Sequence, residues 1–130
     1  MDDCCACLFC EVLKTDRGRI VQENELAYAT RDAFPVTGLH TLVIPKRHVT
    51  DYFGLTSTEA SAIHDLILAQ KEIIDALDTS VGGYTIGMNC GEIAGQSVWH
   101  CHVHLIPRRK GDAPHPKGGV RHVIPWKRSS

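Results

Sequence analysis

The chain is 130 residues long, 43% apolar and 22% charged, the ordinary composition of a globular protein with room for one core. Its net charge of −1 argues against broad nucleic-acid binding. No apolar run approaches the ~20 residues of a membrane span, and the acidic opening MDDCCACLFC lacks the basic start and apolar stretch of a secretion signal, so a cytoplasmic protein with no membrane partner is expected.

Six cysteines in such a protein are not expected to form structural disulfides. Four of them, Cys4, Cys5, Cys7 and Cys10, come first in the chain, and Cys7-Leu8-Phe9-Cys10 is a C-x-x-C. By itself that spacing fits a redox pair or half of a metal site. A redox pair normally opens a helix after a strand, and no strand-like segment precedes this one. A metal half-site needs two more ligands, and the chain offers eight histidines. Cys90 and Cys101 lie beside or within strand-like segments and are expected in the core.

Residues 19–23 (RIVQE) and 26–31 (LAYATR) read as short strands with a turn at Asn24. Residues 32–39 form a loop punctuated by Pro35 and Gly38. Residues 40–45 (HTLVIP) are an apolar, β-branched strand stopped by proline. Thr56 and Glu59 have capping-box spacing, and Ala60, Ile63, Ile67, Ile74 and Leu77 lie on one face of a helix running to residue 78. His64 falls beside that face and is expected at the surface. Gly82-Gly83 reads as a turn, residues 84–89 (YTIGMN) as a strand, residues 90–96 as a glycine-containing loop and residues 97–107 as a fifth strand. From Lys110 to residue 130 the chain carries Pro114, Pro116, Gly118 and Gly119 and reads as an irregular tail to a single domain with its core in residues 7–108. His115 and His122 in this tail receive no role. Strands, a long helix and further strands with hairpin-like connections predict an α+β fold, an antiparallel sheet with helices on one side.

The fifth strand holds the densest chemistry. In residues 99–109 (WHCHVHLIPRR), His100, His102 and His104 fall at every second position, with Cys101, Val103 and Leu105 between them. On a strand such residues share a face, about 6.5–7 Å apart, while the intervening ones enter the core. Three readings follow: histidines satisfied by backbone groups, a metal site, or catalysis by a neutral imidazole nucleophile.

Gly95-Gln96-Ser97-Val98-Trp99-His100-Cys101-His102-Val103-His104-Leu105 resembles the motif of the histidine triad (HIT) family. So does the block His40-Thr41-Leu42-Val43-Ile44-Pro45-Lys46-Arg47-His48, with Asp32 eight residues before His40 and Asn89 in the strand before the triad. The resemblance implies a five-stranded antiparallel sheet with one long and one short helix. It also implies nucleotide hydrolases or transferases working through a covalent nucleotidyl-histidine on a purine nucleotide. His102 would be the nucleophile at the α-phosphorus, with His104 and His40 as polar neighbours. Gln96 and Ser97 would contact phosphate and bridging oxygen, Asn89 the phosphate or ribose, Asp32 the ribose hydroxyls, and Ala33 with apolar neighbours the base.

That chemistry is sound on its own terms. The negative charge of a phosphoanhydride repels hydroxide, so a neutral imidazole attacks better and splits one displacement into two. Preorganised donors then stabilise charge on the non-bridging oxygens.

Some relatives in the family carry zinc on two cysteines and two histidines. The corresponding residues here are Cys7, Cys10, His48 and His100, a closed tetrahedral set typical of structural zinc; Cys4, which also forms a C-x-x-C with Cys7, is a competing ligand. The zinc set looks bacterial. Gln96-Ser97 resembles the branch hydrolysing nucleoside phosphoramidates, and Pro107-Arg108-Arg109-Lys110-Gly111-Asp112 the branch cleaving dinucleoside polyphosphates. A homodimer through the long helix and an edge strand is the family expectation. Two rival readings are a nucleotide-binding regulator with little turnover and a metal-dependent enzyme using the three histidines as ligands.

Overall fold

The structure, a computed structural model, describes residues 7–124. Cys4, Cys5 and the end of the expected tail lie outside the described residues. Helix α1 (Leu8–Thr15) leads into strands β1 (Ile20–Glu23), β2 (Ala27–Arg31) and β3 (Thr41–Pro45). The long helix α2 (Ser57–Leu77) follows, then β4 (Val81–Gly87) and β5 (Val103–Arg109). The five strands form one sheet in the order β1-β2-β3-β5-β4, antiparallel at every pairing. No helix among the described residues is long and apolar enough to cross a membrane.

β2 and β3 are buried almost throughout, which requires cover on both faces of the sheet. Ala27, Ala29, Val43 and Val103 face α2 through Ile63 and Leu66. Tyr28, Leu42 and Ile44, on the alternate positions, face α1 through Phe9 and Val12. The two helices therefore lie on opposite faces, not on one side as expected. The apolar residues at consecutive positions of β2 and β3 demand this. The Tyr28 hydroxyl donates to the Phe9 carbonyl (2.7 Å), fastening α1 to its face.

Other departures are local. Gly82 and Gly83 belong to β4, whose register shifts between Val81 and Gly83, so the expected turn is a bulge. The histidine strand starts at Val103 rather than 97. The Cys101 N–H is committed to the Val49 carbonyl (2.6 Å), so the chain joins the ladder only beyond it. His100 and His102 thus precede β5, and only His104 shares its regular alternation. On α2, the buried row is Ile63, Leu66, Gln70 and Ile74, while Leu77 is 64% exposed. Gln70 enters that row because both ends of its amide are used, accepting from Arg31 (2.6 Å) and donating to Gln22 (2.7 Å).

The predicted capping box is present. The Glu59 N–H donates to Thr56 Oγ1 (3.1 Å), and the Thr56 N–H to Glu59 Oε1 (2.9 Å). Glu59 also receives both Nε (2.7 Å) and Nη2 (2.8 Å) of Arg47, which ties the segment carrying His48 to the start of α2. These bonds, Arg47 first, hold the buried Glu59 carboxyl at about 2 against an ordinary 4.5. The stabilisation is present above 4.5 and is lost as pH falls through about 2. Glu59→Gln should lower stability by about 1–3 kcal/mol at neutral pH. In urea unfolding across a pH series, the gap from the unsubstituted protein should narrow below 4.5 and close near 2; a gap independent of pH would remove the ion pair from the account.

Candidate active site

The ring of His100 is fully buried behind β3. Its Nε2–H donates to the Pro45 carbonyl (2.8 Å), which leaves Nδ1 with a lone pair. That Nδ1 lies 3.1 Å from Cys7 Sγ and 3.5 Å from Cys10 Sγ. Cys10 Sγ is also 3.4 Å from His48 Nδ1. The ligand atoms of all four residues fall within 4.8 Å of one another. Sulfur and nitrogen on one tetrahedral zinc, with bonds of about 2.3 and 2.0 Å, stand about 3.5 Å apart. The sulfur–nitrogen distances agree to within a few tenths of an ångström. Burial pushes His100 down to about 4, keeping the imidazole neutral as a ligand must be. Cys7 caps α1 and accepts the Cys10 N–H (3.3 Å), so the helix start itself brings the two sulfurs together. Among the described residues, this is a candidate metal centre whose donors suit zinc.

The His102 Nδ1–H donates to the backbone carbonyl of His100 (2.8 Å). The lone pair of His102 is therefore on Nε2. Its ring lies 5.1 Å from the ring of Phe9 and 5.2 Å from that of His104.

His40, just before β3, has the opposite polarity. Its Nδ1 accepts the Val36 N–H (3.1 Å), so the ring proton is on Nε2. That Nε2–H faces His104 Nδ1 at 2.9 Å and Asp32 Oδ2 at 3.4 Å. His104, accepting at Nδ1, then carries its proton on Nε2. Burial lowers His40 against the upward pull of Asp32. Burial lowers His104 as well, helped by His102 and His40. Both are neutral donors at neutral pH. Asp32, His40 and His104 also bring ligand atoms within 4.8 Å of one another. A metal-bound imidazole, however, donates through its other nitrogen, and the other nitrogen of His40 already accepts. This polarity counts against a metal held by Asp32, His40 and His104.

The loop between β2 and β3 is held from several directions. Asp32 Oδ1 accepts the Phe34 N–H (2.9 Å), and the Asp32 N–H donates to the His40 carbonyl (2.9 Å). Leu39, with φ 68°, adopts the left-handed conformation, which costs a non-glycine residue about 1–3 kcal/mol. Arg109 donates to Thr37 Oγ1 (2.8 Å) and pairs with Asp78 (2.9 Å), clamping the loop to the far end of the sheet. Ala33 is on the exposed crest of this loop with Phe34 and Val36.

Gln96 is buried, and its amide is committed to backbone. Nε2 donates to the carbonyls of Thr50 (2.6 Å) and Val98 (3.1 Å), while Oε1 accepts the Gly91 N–H (2.8 Å). It shapes the loop that presents the exposed Ser97. Asn89 is exposed and lies against Gly95, whose φ of +97° suits glycine. A cavity of about 300 Å³ opens beside Asn89 and His104, walled on one side by Val120 and Val123. Sequence reasoning assigned that tail segment no structure, gave Phe9 and Thr37 no role, and read Arg109 only as part of a family-like segment. The aromatic residue inside the C-x-x-C was the one available signal.

Comparison with known proteins agrees with this fold. Residues 14–111 match the family model described as HIT domain. An uncharacterised HIT-like protein of Mycoplasma genitalium is 38% identical over 109 residues, spanning 79% of this chain and 73% of that protein. The crystal structure of a HIT family protein from Bacillus anthracis superposes with a TM-score of 0.73 at 40% identity, over 82% of this chain and 75% of that one. A HIT family hydrolase from Clostridium thermocellum gives a TM-score of 0.67 at 30% identity, over 85% and 96% of the two chains. The chain belongs to the HIT family, whose proteins generally bind nucleotides.

The backbone partners dictate the ring protons, and this is directly measurable. Long-range ¹⁵N–¹H spectra of labelled imidazoles at neutral pH should show His102 protonated on Nδ1, with His40 and His100 protonated on Nε2. A His40 protonated on Nδ1 would break the assignment.

Proposed function

We propose that this chain is a nucleotide hydrolase or transferase acting at the α-phosphate of a purine nucleotide conjugate, a dinucleoside polyphosphate or nucleoside phosphoramidate, and releasing the nucleoside monophosphate. The observation that carries the reading is the bond from His102 Nδ1–H to the His100 carbonyl. It leaves the Nε2 lone pair of His102 available beside neutral imidazole donors.

In the first step, His102 Nε2 attacks the α-phosphorus, an N–P bond forms and the bond to the leaving group breaks. The cationic phospho-imidazole is stabilised at Nδ1–H by the His100 carbonyl. His104 offers its Nε2–H to a phosphate oxygen or to the departing group, and His40 keeps His104 in that tautomer. In the second step, a water oxygen bonds to phosphorus as the N–P bond breaks, the bonding pair returns to His102 Nε2, and the proton shed by the water passes to the medium. Asp32 takes the ribose hydroxyls, Ala33 and its apolar neighbours the base, and Asn89 and Ser97 the phosphate side. Gln96 acts by holding Ser97 and its loop.

Zinc on Cys7, Cys10, His48 and His100 serves structure, fixing the residue whose carbonyl orients the nucleophile and marking a bacterial-type member. Its thiolates suit a reducing, cytoplasmic setting. The exposed Leu68, Ile73 and Leu77 of α2 and Ile86 of the edge strand β4 suit a second copy of the chain, giving a homodimer.

Rapid quench with labelled diadenosine polyphosphate or adenosine phosphoramidate should place label on His102. His102→Asn should fold and bind AMP but lose turnover by several orders of magnitude. Label on another residue, or near-normal turnover of the variant, overturns the mechanism.

Metal analysis should find about one zinc per chain. Cys7→Ser with Cys10→Ser should lose zinc and stability together, because structural metal binding is coupled to folding. Undiminished zinc in that double variant removes the two cysteines from the site.

A further inference from the structure

We infer that Phe9, the aromatic residue inside the C-x-x-C, is a positioning residue for the nucleophile, holding the His102 ring in the orientation whose Nδ1–H meets the His100 carbonyl. The inference rests on the reading of His102 as nucleophile.

One hydrogen bond fixes one atom of an imidazole. The ring can still rock about that bond, and a half-turn about its Cβ–Cγ bond puts a carbon where Nδ1 stood. A second contact is needed to hold the plane. Phe9 supplies it, with its ring centroid 5.1 Å from that of His102 at an interplanar angle of 58°. The same phenyl meets the buried ring of His100 edge-on, at 5.9 Å and 88°. It thus touches both residues of the orienting hydrogen bond, the one that donates and the one whose carbonyl accepts. Tilted and edge-on ring pairs in this distance range are attractive and geometrically specific.

Phe9 is itself firmly placed. It is 4% exposed, in a cluster with Val12, Tyr28, Leu42 and Ile44, and its carbonyl accepts the Tyr28 hydroxyl. Cys7 and Cys10 flank it within one helical turn, so anchoring the two sulfurs sets the position of the phenyl. The ring has no proton to give and no charge, which limits its part to shape and contact. The amino-terminal helix therefore reaches the nucleophile by two routes: through the His100 backbone, and through this side chain.

The test compares Phe9→Ala and Phe9→Leu in the full chain, with zinc content measured alongside. In the alanine variant the imidazole ¹⁵N spectra should show His102 in mixed tautomers. Nucleotidylation of His102 should slow by about ten- to a hundredfold, as misplaced reacting groups do, while affinity for AMP and zinc content hold. Leucine, which keeps much of the volume without the flat ring, should give a smaller change in the same direction. It also carries the test if the alanine variant fails to fold. A single Nδ1–H tautomer with an unaltered rate in both variants overturns the inference. So does weakened AMP binding with an unaltered rate, which would make Phe9 a substrate contact. Absence of label on His102 in the unsubstituted protein refutes the reading of the reaction instead, and the spectra still decide whether Phe9 orients the ring.

Discussion

The site depends on one hydrogen bond, from the buried Nε2–H of His100 to the carbonyl of Pro45 at the end of β3. Inside a protein an imidazole must commit its single ring proton to one side. By giving it to Pro45, His100 turns its lone pair toward Cys7 and Cys10. Beside it, the Cys101 N–H is given to the Val49 carbonyl, so the chain does not run on as a regular strand through residues 100–102. The irregularity frees the His100 carbonyl from the ladder and lets it accept from His102. One commitment thus aims a lone pair of His100 at the two cysteines, and the other sets the late start of β5 and frees the carbonyl that orients His102.

A second set of constraints keeps the neighbouring imidazoles neutral. His40 and His104 are pushed below their ordinary values mainly by burial, and Asp32 only partly offsets this. On the proposed reading, a polyanionic substrate would be met by aligned neutral donors, with positive charge developing only on the ring of His102. The loop carrying Asp32 achieves this alignment against its own conformational preference at Leu39, with the Arg109 clamp, the Asp32 turn and the sheet around it sharing the cost. Local strain held by surrounding order is a common property of functional loops.

Much of this was legible in the sequence, because much of it is periodic. Alternation in residues 103–107 put Val103 and Leu105 inward, and the spacing of Thr56 and Glu59 located the start of α2. The family resemblance named Cys7, Cys10, His48 and His100, which the fold brings together from three separate segments. What failed to show was set at long range. Nothing near Cys101 reveals that its N–H belongs to Val49, so the strand was drawn too long. Gln70 looks like a surface residue until Arg31 and Gln22 are placed around it. The apolar runs of β2 and β3 did carry the two-sided burial of the sheet. The short helix that the resemblance implied was not placed on the second face, because the sequence of α1 reads first as a cysteine motif. Phe9 and the wall at Val120 and Val123 are meaningful only beside residues far away in the chain.

The Val36 N–H donated to His40 has a consequence for any attempt to move this chemistry elsewhere. Histidines carry no label that makes one a ligand, another an attacker and a third a donor. Here the backbone fixes the tautomer of each ring, and with it the role each could take, through a carbonyl from Pro45, a carbonyl from His100 and an amide from Val36. Grafted onto a foreign strand without those three groups, the motif is a set of interchangeable imidazoles, and such a set is a chelator. The portable unit is therefore the sheet with its loop, and the five-residue signature is only its visible part.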